Sequence, residues 1–138
     1  MMDERQTDAE IRADILAVKK EIDKEQQEYF DAIEHLMETG LTTDGAGGRV
    51  CAGVFLSLYN DNAFPLAVLD LRLLDYNNWR HAIAAIRGRA RAQGEPHDQI
   101  ANGHQRVIDL KDKWGELHFR EGRPGGYLKF KESLEQNG

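Results

Sequence analysis

Residues 8–39 read DAEIRADILAVKKEIDKEQQEYFDAIEHLMET. Apolar residues recur along this stretch at steps of four and three, which places them on one side of an α-helix. Thr7 and Glu10 match a capping box at its start, and Gly40 favours the left-handed position that follows a last helical turn. We therefore predict one helix over residues 8–39, roughly 48 Å long at 1.5 Å per residue.

The apolar positions of this predicted helix form a stripe with a break halfway. Its members are Ile11, Ile15, Val18, Ile22, Tyr29, Ile33 and Leu36. Because Glu25 and Gln26 interrupt the stripe, the helix either bends there or its first half projects from the rest of the chain. A projecting half would pair with another copy, and we expect a homodimer held by four residues, Ile11, Ile15, Val18 and Ile22.

Charge is distributed unevenly along the 138 residues, which carry a net charge of −6. Residues 3–38 hold 12 acidic and 5 basic side chains, whereas residues 41–138 are close to balanced. Because complementary charge steers association, the acidic helix predicts a protein partner with a basic surface. One flank of the helix would make the contact through Glu21, Glu25 and Glu28.

The middle of the chain predicts two shorter helices. Residues 40–48, GLTTDGAGG, are rich in glycine and predict a flexible loop. Residues 49–59 are apolar on every side, which is typical of a helix in the centre of a fold. Residues 64–74 predict an extended piece that leads into a short helical turn. Asp75 can then cap a helix over residues 76–92.

The helix over residues 76–92 has two predicted faces. Its apolar face consists of Trp79, Ile83, Ile86 and Ala90. A separate basic face carries Arg80, Arg87 and Arg91. Such a face is usually solvated, but it can also pair with the acidic helix or contact nucleic acid. The acidic net charge and the lack of a nucleic-acid-binding motif disfavour direct nucleic-acid binding.

The last part of the sequence completes a mainly α fold. Asn102 can cap a helix over residues 103–114. Residues 117–130 alternate apolar and polar side chains around EGRPGG, which predicts a β-hairpin, with a terminal helix as the competing structure. We therefore predict a single domain over residues 1–138, in which the long helix packs on a small helical core over residues 49–138.

No pattern in the sequence predicts an enzyme, and we expect no catalytic residue. Cys51 lies in an apolar run, which is typical of a small buried side chain. The five histidines form neither HExxH nor HxH, so we expect no metal site and no cofactor. Asp98 followed by Asp109 and Lys111 has the spacing of a metal-dependent nuclease. On a helix, however, Asp109 and Lys111 point to different faces.

The hydropathy of the chain indicates the cytoplasm. The longest uncharged apolar run, residues 50–60, is shorter than the roughly 18 residues of a membrane span. The first ten residues, MMDERQTDAE, are acidic and have no apolar centre of the kind found in signal peptides. We expect no membrane contact.

The order of features from Arg49 to Trp114 resembles a family of short, uncharacterised bacterial proteins carried on plasmids, integrative elements and phages. The segments that carry the resemblance are RVCAGVFLSLYN, FPLAVLDLRLLD, an alanine- and arginine-rich helix, EPH, NG and DKWG. The resemblance implies a setting among the accessory genes of mobile elements, where small acidic proteins often block host defence.

The expected function follows from this setting and from the acidic helix. We predict a non-enzymatic protein-interaction module, of the type of an anti-CRISPR inhibitor that occupies a basic surface of a host defence complex. The alternative is a nucleic-acid-binding accessory or regulatory protein that uses the arginine face of residues 76–92.

Overall fold

The computed structural model describes residues 7–91 and 93–119, and within them every regular element is helical. The four α-helices are α1 (Asp8–Thr42), α2 (Gly45–Tyr59), α3 (Tyr76–Ala90) and α4 (Gly103–Lys113). Three short 3₁₀ helices are η1 (Val68–Leu73), η2 (Pro96–Asp98) and η3 (Gly115–Leu117). The mainly α prediction is thus confirmed. The predicted hairpin over 117–130 extends beyond the described residues.

α1 begins where its capping pattern predicts and ends later. The side-chain oxygen of Thr7 accepts a hydrogen bond from the backbone N–H of Glu10 at 3.1 Å. The helix then continues three residues past the predicted end, to Thr42. The prediction that Gly40 ends the helix is wrong, because this glycine has a different role.

Gly40 allows α2 and α4 to approach α1 closely. A Cβ atom at this position would lie 2.9 Å from Leu110 Cδ1 and 3.2 Å from Ala52 Cα. The indole N–H of Trp114 also donates a hydrogen bond to the Gly40 carbonyl oxygen at 2.8 Å. Gly40 is buried inside the helix, so its small size, not a left-handed conformation, explains the glycine.

α2 lies at the centre of the fold, as its apolar sequence predicts. Its buried residues are Gly48, Val50, Cys51, Ala52, Val54, Phe55 and Leu56. The predicted flexible loop is much shorter, because α2 begins at Gly45 and only Thr43 and Asp44 separate it from α1. Packing against α1 therefore outweighs the low helix propensity of the glycines.

α3 runs antiparallel to α1 and packs on it through small residues. Its buried positions are Ala82, Ala85 and Gly88. The predicted apolar face is therefore only partly right, since Trp79 is 41% exposed and Ala90 is also exposed. A Cβ atom at Gly88 would lie 2.6 Å from Tyr29 Cγ, so the two helices approach too closely for large side chains.

The remaining elements close one hydrophobic core between α1, α2 and α4. Asp75 caps α3 as predicted, and its side chain accepts a hydrogen bond from Asn78 N at 2.8 Å. Asn102 precedes α4 as predicted, although its side chain makes no capping hydrogen bond.

Of the helices in residues 7–91 and 93–119, none has the length and apolar character that a membrane crossing requires.

Candidate functional site

Residues 8–24 of α1, here called the arm, extend beyond the packed helices. Every residue of the arm is exposed, whereas the buried part of α1 begins at Tyr29. The arm spans about 25 Å at 1.5 Å per residue. Its exposed apolar side chains include the four predicted self-association residues, Ile11, Ile15, Val18 and Ile22.

The predicted acidic flank and the predicted arginine face meet within the chain. Arg87 Nη2 donates a hydrogen bond to Glu28 Oε2 at 2.8 Å. Arg91 Nε lies 2.8 Å from Glu25 Oε2, an ion pair whose angles are not those of a hydrogen bond. Of the alternatives open for the arginine face, this geometry corresponds to pairing with the acidic helix.

One residue from each predicted set stays outside these ion pairs. Glu21 lies on the exposed arm and forms no ion pair with the described residues. Arg80 donates a hydrogen bond to the side-chain oxygen of Asn77 at 3.0 Å. The structure therefore brings four of the six predicted charged residues together and separates the other two.

A second cluster of ion pairs joins α1 to α4, and the sequence analysis did not predict it. Arg106 donates to both carboxylate oxygens of Glu34, at 2.7 and 2.8 Å, and lies 3.4 Å from Glu38. Hydrogen bonding to Glu34 is the largest cause that raises the pKa of the Arg106 guanidinium. Because the partners are about 70 residues apart in sequence, only the fold identifies them.

An open cleft of about 480 Å³ lies between α1 and α3, beside a pair of stacked histidines. The rings of His35 and His81 are 3.9 Å apart and 15° from parallel. His35 Nε2 lies 2.6 Å from Asn78 Oδ1, and His81 Nδ1 lies 2.8 Å from the Asn77 carbonyl oxygen. Burial lowers the pKa of His81, which favours the uncharged ring.

The residues weighed for catalysis do not converge. Burial raises the pKa of the Cys51 thiol to about 12, so it is not a nucleophile at neutral pH. Asp109 accepts a hydrogen bond from Gln105 Nε2 at 3.0 Å, whereas Lys111 Nζ lies 4.7 Å from the centre of the Tyr59 ring. Asp109 and Lys111 thus point to different neighbours, as the helical spacing predicts.

An exposed aromatic pair at the start of α3 was missed by the sequence analysis. Tyr76 is 75% exposed and Trp79 is 41% exposed, and their rings stack with centres 6.1 Å apart. Helical spacing indicated that Trp79 is buried, and no signal in the sequence shows otherwise. The exposure follows from the small residues that face α1 instead.

Comparison with known proteins finds one match. A family model described as a family of unknown function (DUF7673) matches residues 30–115. No curated protein and no solved structure matches the chain. The matched range contains the stretch from Arg49 to Trp114 on which the resemblance rests. It covers α1 from Phe30 onward together with α2, α3 and α4, and it leaves out the arm.

Proposed function

Since the chain belongs to the family of unknown function DUF7673, we propose a function from its own surfaces. The chain acts as a non-enzymatic protein-interaction module that self-associates through the arm. The observation that carries this proposal is the exposed stripe of Ile11, Ile15, Val18 and Ile22, which are between 41% and 63% exposed.

The energetics of the stripe favour a helical partner. Full burial of one large aliphatic side chain contributes about 1.5–3 kcal/mol. The four side chains of the stripe are 41–63% exposed, so each lacks part of this contribution as long as the arm stands alone in water. A second arm supplies a matching apolar surface, since every copy of the chain carries the same four residues.

The packing of α3 on α1 indicates how a second arm can lie. α3 runs antiparallel to α1, from His81 beside His35 to Arg91 beside Glu25, and Tyr29 of the stripe lies against Gly88 of α3. In a parallel pair, we expect α1 of the second copy, as it continues past its arm, to meet the end of α3 beside Glu25. An antiparallel arm avoids this collision, because its own packed helices lie beyond the far end of the first arm.

The spacing of the stripe fits this antiparallel arrangement. The four residues are separated by steps of 4, 3 and 4, and this order reads the same in both directions. Antiparallel pairing therefore places Ile11 against Ile22 of the second copy and Ile15 against Val18 of the second copy. All four residues of each arm thus meet the four of the other arm, in two distinct contacts that each occur twice by symmetry.

The test compares the oligomeric state of two double variants. Ile15→Asp with Ile22→Asp places two charges in the stripe, and multi-angle light scattering should then show a monomer where the unmodified chain is a dimer. Leu69→Asp with Ile108→Asp is the matched control, because both residues are exposed apolar side chains outside the arm. A monomeric unmodified chain, or a control that dissociates equally, contradicts the proposal.

The identity of a further partner stays a prediction. An anti-CRISPR-type inhibitor of a host defence complex rests on the resemblance and on the acidic helix. Contact through Glu25 and Glu28 would compete with Arg91 and Arg87, whereas Glu21 has no such competitor among the described residues. The alternative of nucleic-acid binding also stays a prediction, and two of its three arginines are the ones that hold these glutamates.

A further inference from the structure

Two histidines and one aspartate converge where η2 meets the start of α4. Asp98 Oδ1 lies 3.4 Å from His97 Nε2 and 3.6 Å from His104 Nε2. Each of the three side chains places a possible ligand atom within 4.8 Å of the others. No sequence motif identifies this cluster, because His97 and His104 have none of the usual spacings of metal-binding motifs.

The backbone between the histidines is shaped so that they meet. Asn102 adopts the left-handed conformation, with φ 56° and ψ 32°, which reverses the chain before α4. Asparagine is one of the few residues other than glycine that adopts it readily. A Cβ atom at Gly103 would overlap the carbonyl oxygen of His97, so only glycine lets the first turn of α4 lie against η2.

Of the three side chains, His97 is largely buried, whereas Asp98 and His104 are exposed to solvent. The His97 side chain is 16% exposed, and its ring is held edge-on by Tyr59, with ring centres 5.1 Å apart. Its Nδ1 atom is buried without a hydrogen-bond partner among the described residues. The polar contacts of the ring are therefore directed at the cluster through Nε2. Asp98 and His104 are 53% and 80% exposed, so an ion can reach them from solvent.

We propose that His97, Asp98 and His104 bind a divalent zinc ion through the two Nε2 atoms and one carboxylate oxygen. Zinc bonds of about 2.0–2.2 Å in a tetrahedral site place neighbouring ligand atoms about 3.3–3.6 Å apart. The two nitrogen-to-oxygen distances of 3.4 and 3.6 Å match this spacing. The nitrogens of His97 and His104 lie within 4.8 Å of each other, and the His104 side chain is 80% exposed.

The donor set selects the type of metal ion. Imidazole nitrogens suit zinc and its late transition-metal neighbours, whereas magnesium and calcium prefer oxygen ligands. Three protein ligands leave a fourth tetrahedral position for water or for a donor from another molecule. The ion would also tie η2 to the first turn of α4, which are separated by the turn at Asn102. This site is independent of the arm and of the proposed self-association.

The experiment measures zinc binding by the full chain, prepared without a polyhistidine tag and stripped with a chelator. We expect isothermal titration calorimetry to show one zinc ion per chain, and Co²⁺ to give the visible absorption of a tetrahedral site. Loss of a ligand in His104→Ala or Asp98→Asn should weaken zinc binding at least about tenfold. Both side chains are exposed, so these variants should keep the helical circular dichroism of the unmodified chain.

The matched control is Asp109→Asn, which removes a carboxylate of the same helix that bonds to Gln105 and lies outside the cluster. This variant should bind zinc as the unmodified chain does. Absence of zinc binding by the unmodified chain overturns the proposal. Equal binding by the control and by both ligand variants overturns it as well, since it would show attachment elsewhere on the surface.

Discussion

Burial determines the chemistry of Cys51, the one cysteine of the chain. The side chain has no solvent-exposed surface in α2, and burial raises the pKa of its thiol to about 12, with a smaller contribution from Asp75. The thiolate is the reactive form of cysteine. Because that form is nearly absent at neutral pH, Cys51 contributes packing to the core and no nucleophile to the surface.

We therefore predict that Cys51 reacts with a thiol reagent only when the chain unfolds. At about pH 8, close to the pKa of an ordinary cysteine, a disulfide-exchange reagent followed by absorbance should label the native protein very slowly. In concentrated denaturant the same reagent should label one thiol per chain within the mixing time of the experiment. Rapid labelling of the native protein would contradict the burial of this side chain.

The ring of His81, which stacks on that of His35, makes the stability of the fold depend on pH. Burial is the largest cause that lowers the pKa of His81, and His35 and Arg80 lower it further. The Asn77 carbonyl oxygen and Asp31 act in the opposite direction. The folded chain thus binds a proton at His81 less readily than the unfolded chain, where the pKa of histidine is about 6.5.

We predict that this difference makes stability fall in mild acid. The contribution of the neutral His81 is fully present above about pH 6.5 and is lost as pH falls through its lowered folded pKa. Thermal unfolding followed by circular dichroism should show that His81→Gln loses less stability on acidification than the unmodified chain.

At the scale of the elements, one aromatic ring of α1 packs directly on the backbone of α3 at Gly88. Tyr29 lies against Gly88, and its hydroxyl donates a hydrogen bond to the Gly94 carbonyl oxygen at 2.7 Å. Burial raises the pKa of Tyr29 to about 12, so this donor stays protonated. The space above Gly88 is completely filled by the ring.

We predict opposite effects for the same substitution in two helices. Gly88→Ala would place its Cβ 2.5–2.6 Å from the side chain of Tyr29, and such overpacking should destabilise the fold by about 1–3 kcal/mol. Gly53→Ala in α2 meets only Leu117 Cδ1, at 3.7 Å, and should stabilise the helix by up to about 1 kcal/mol. Chemical denaturation monitored by circular dichroism measures both. A stabilising Gly88→Ala would show that α3 is more loosely packed.

These elements also show which features a sequence can predict. The caps at Thr7 and Asp75 are local, since in each the side chain accepts a hydrogen bond from a backbone N–H three residues away, and both of these bonds are present. The role of Gly40 is not local, because its neighbours come from α2 and α4. The exposure of Trp79 likewise depends on which face of α3 meets α1.

The candidate sites also differ in whether they depend on local sequence or on contacts between distant parts of the chain. Helical spacing was sufficient to identify the stripe of the arm, whose four residues lie on one exposed face. It was not sufficient for the cluster of His97, Asp98 and His104, since their approach depends on the left-handed turn at Asn102. Ion pairs such as Arg87 with Glu28 also require the antiparallel packing of two helices.

At the scale of the whole molecule, charge and shape favour different orientations of two arms. One flank of the stripe carries Arg12 and Lys19, and the other carries Asp14 and Glu21. Antiparallel pairing places like flanks together, with Arg12 near Lys19 of the second copy, whereas parallel pairing places Asp14 near Lys19. Exposed charge pairs on helices contribute only about 0.2–0.5 kcal/mol each. We expect the collision with α3 to outweigh this contribution, so the proposed dimer is antiparallel.

This arrangement predicts that salt strengthens the dimer. Screening at high ionic strength weakens the repulsion between like flanks, so the dissociation constant from analytical ultracentrifugation should fall as salt increases. Lys19→Glu should tighten the antiparallel dimer at low salt, because it places a carboxylate near Arg12 of the second copy. Lys20→Glu makes the same charge change on the side away from the stripe and should have a smaller effect. A dimer that weakens with salt, and that Lys19→Glu dissociates, would indicate parallel arms instead.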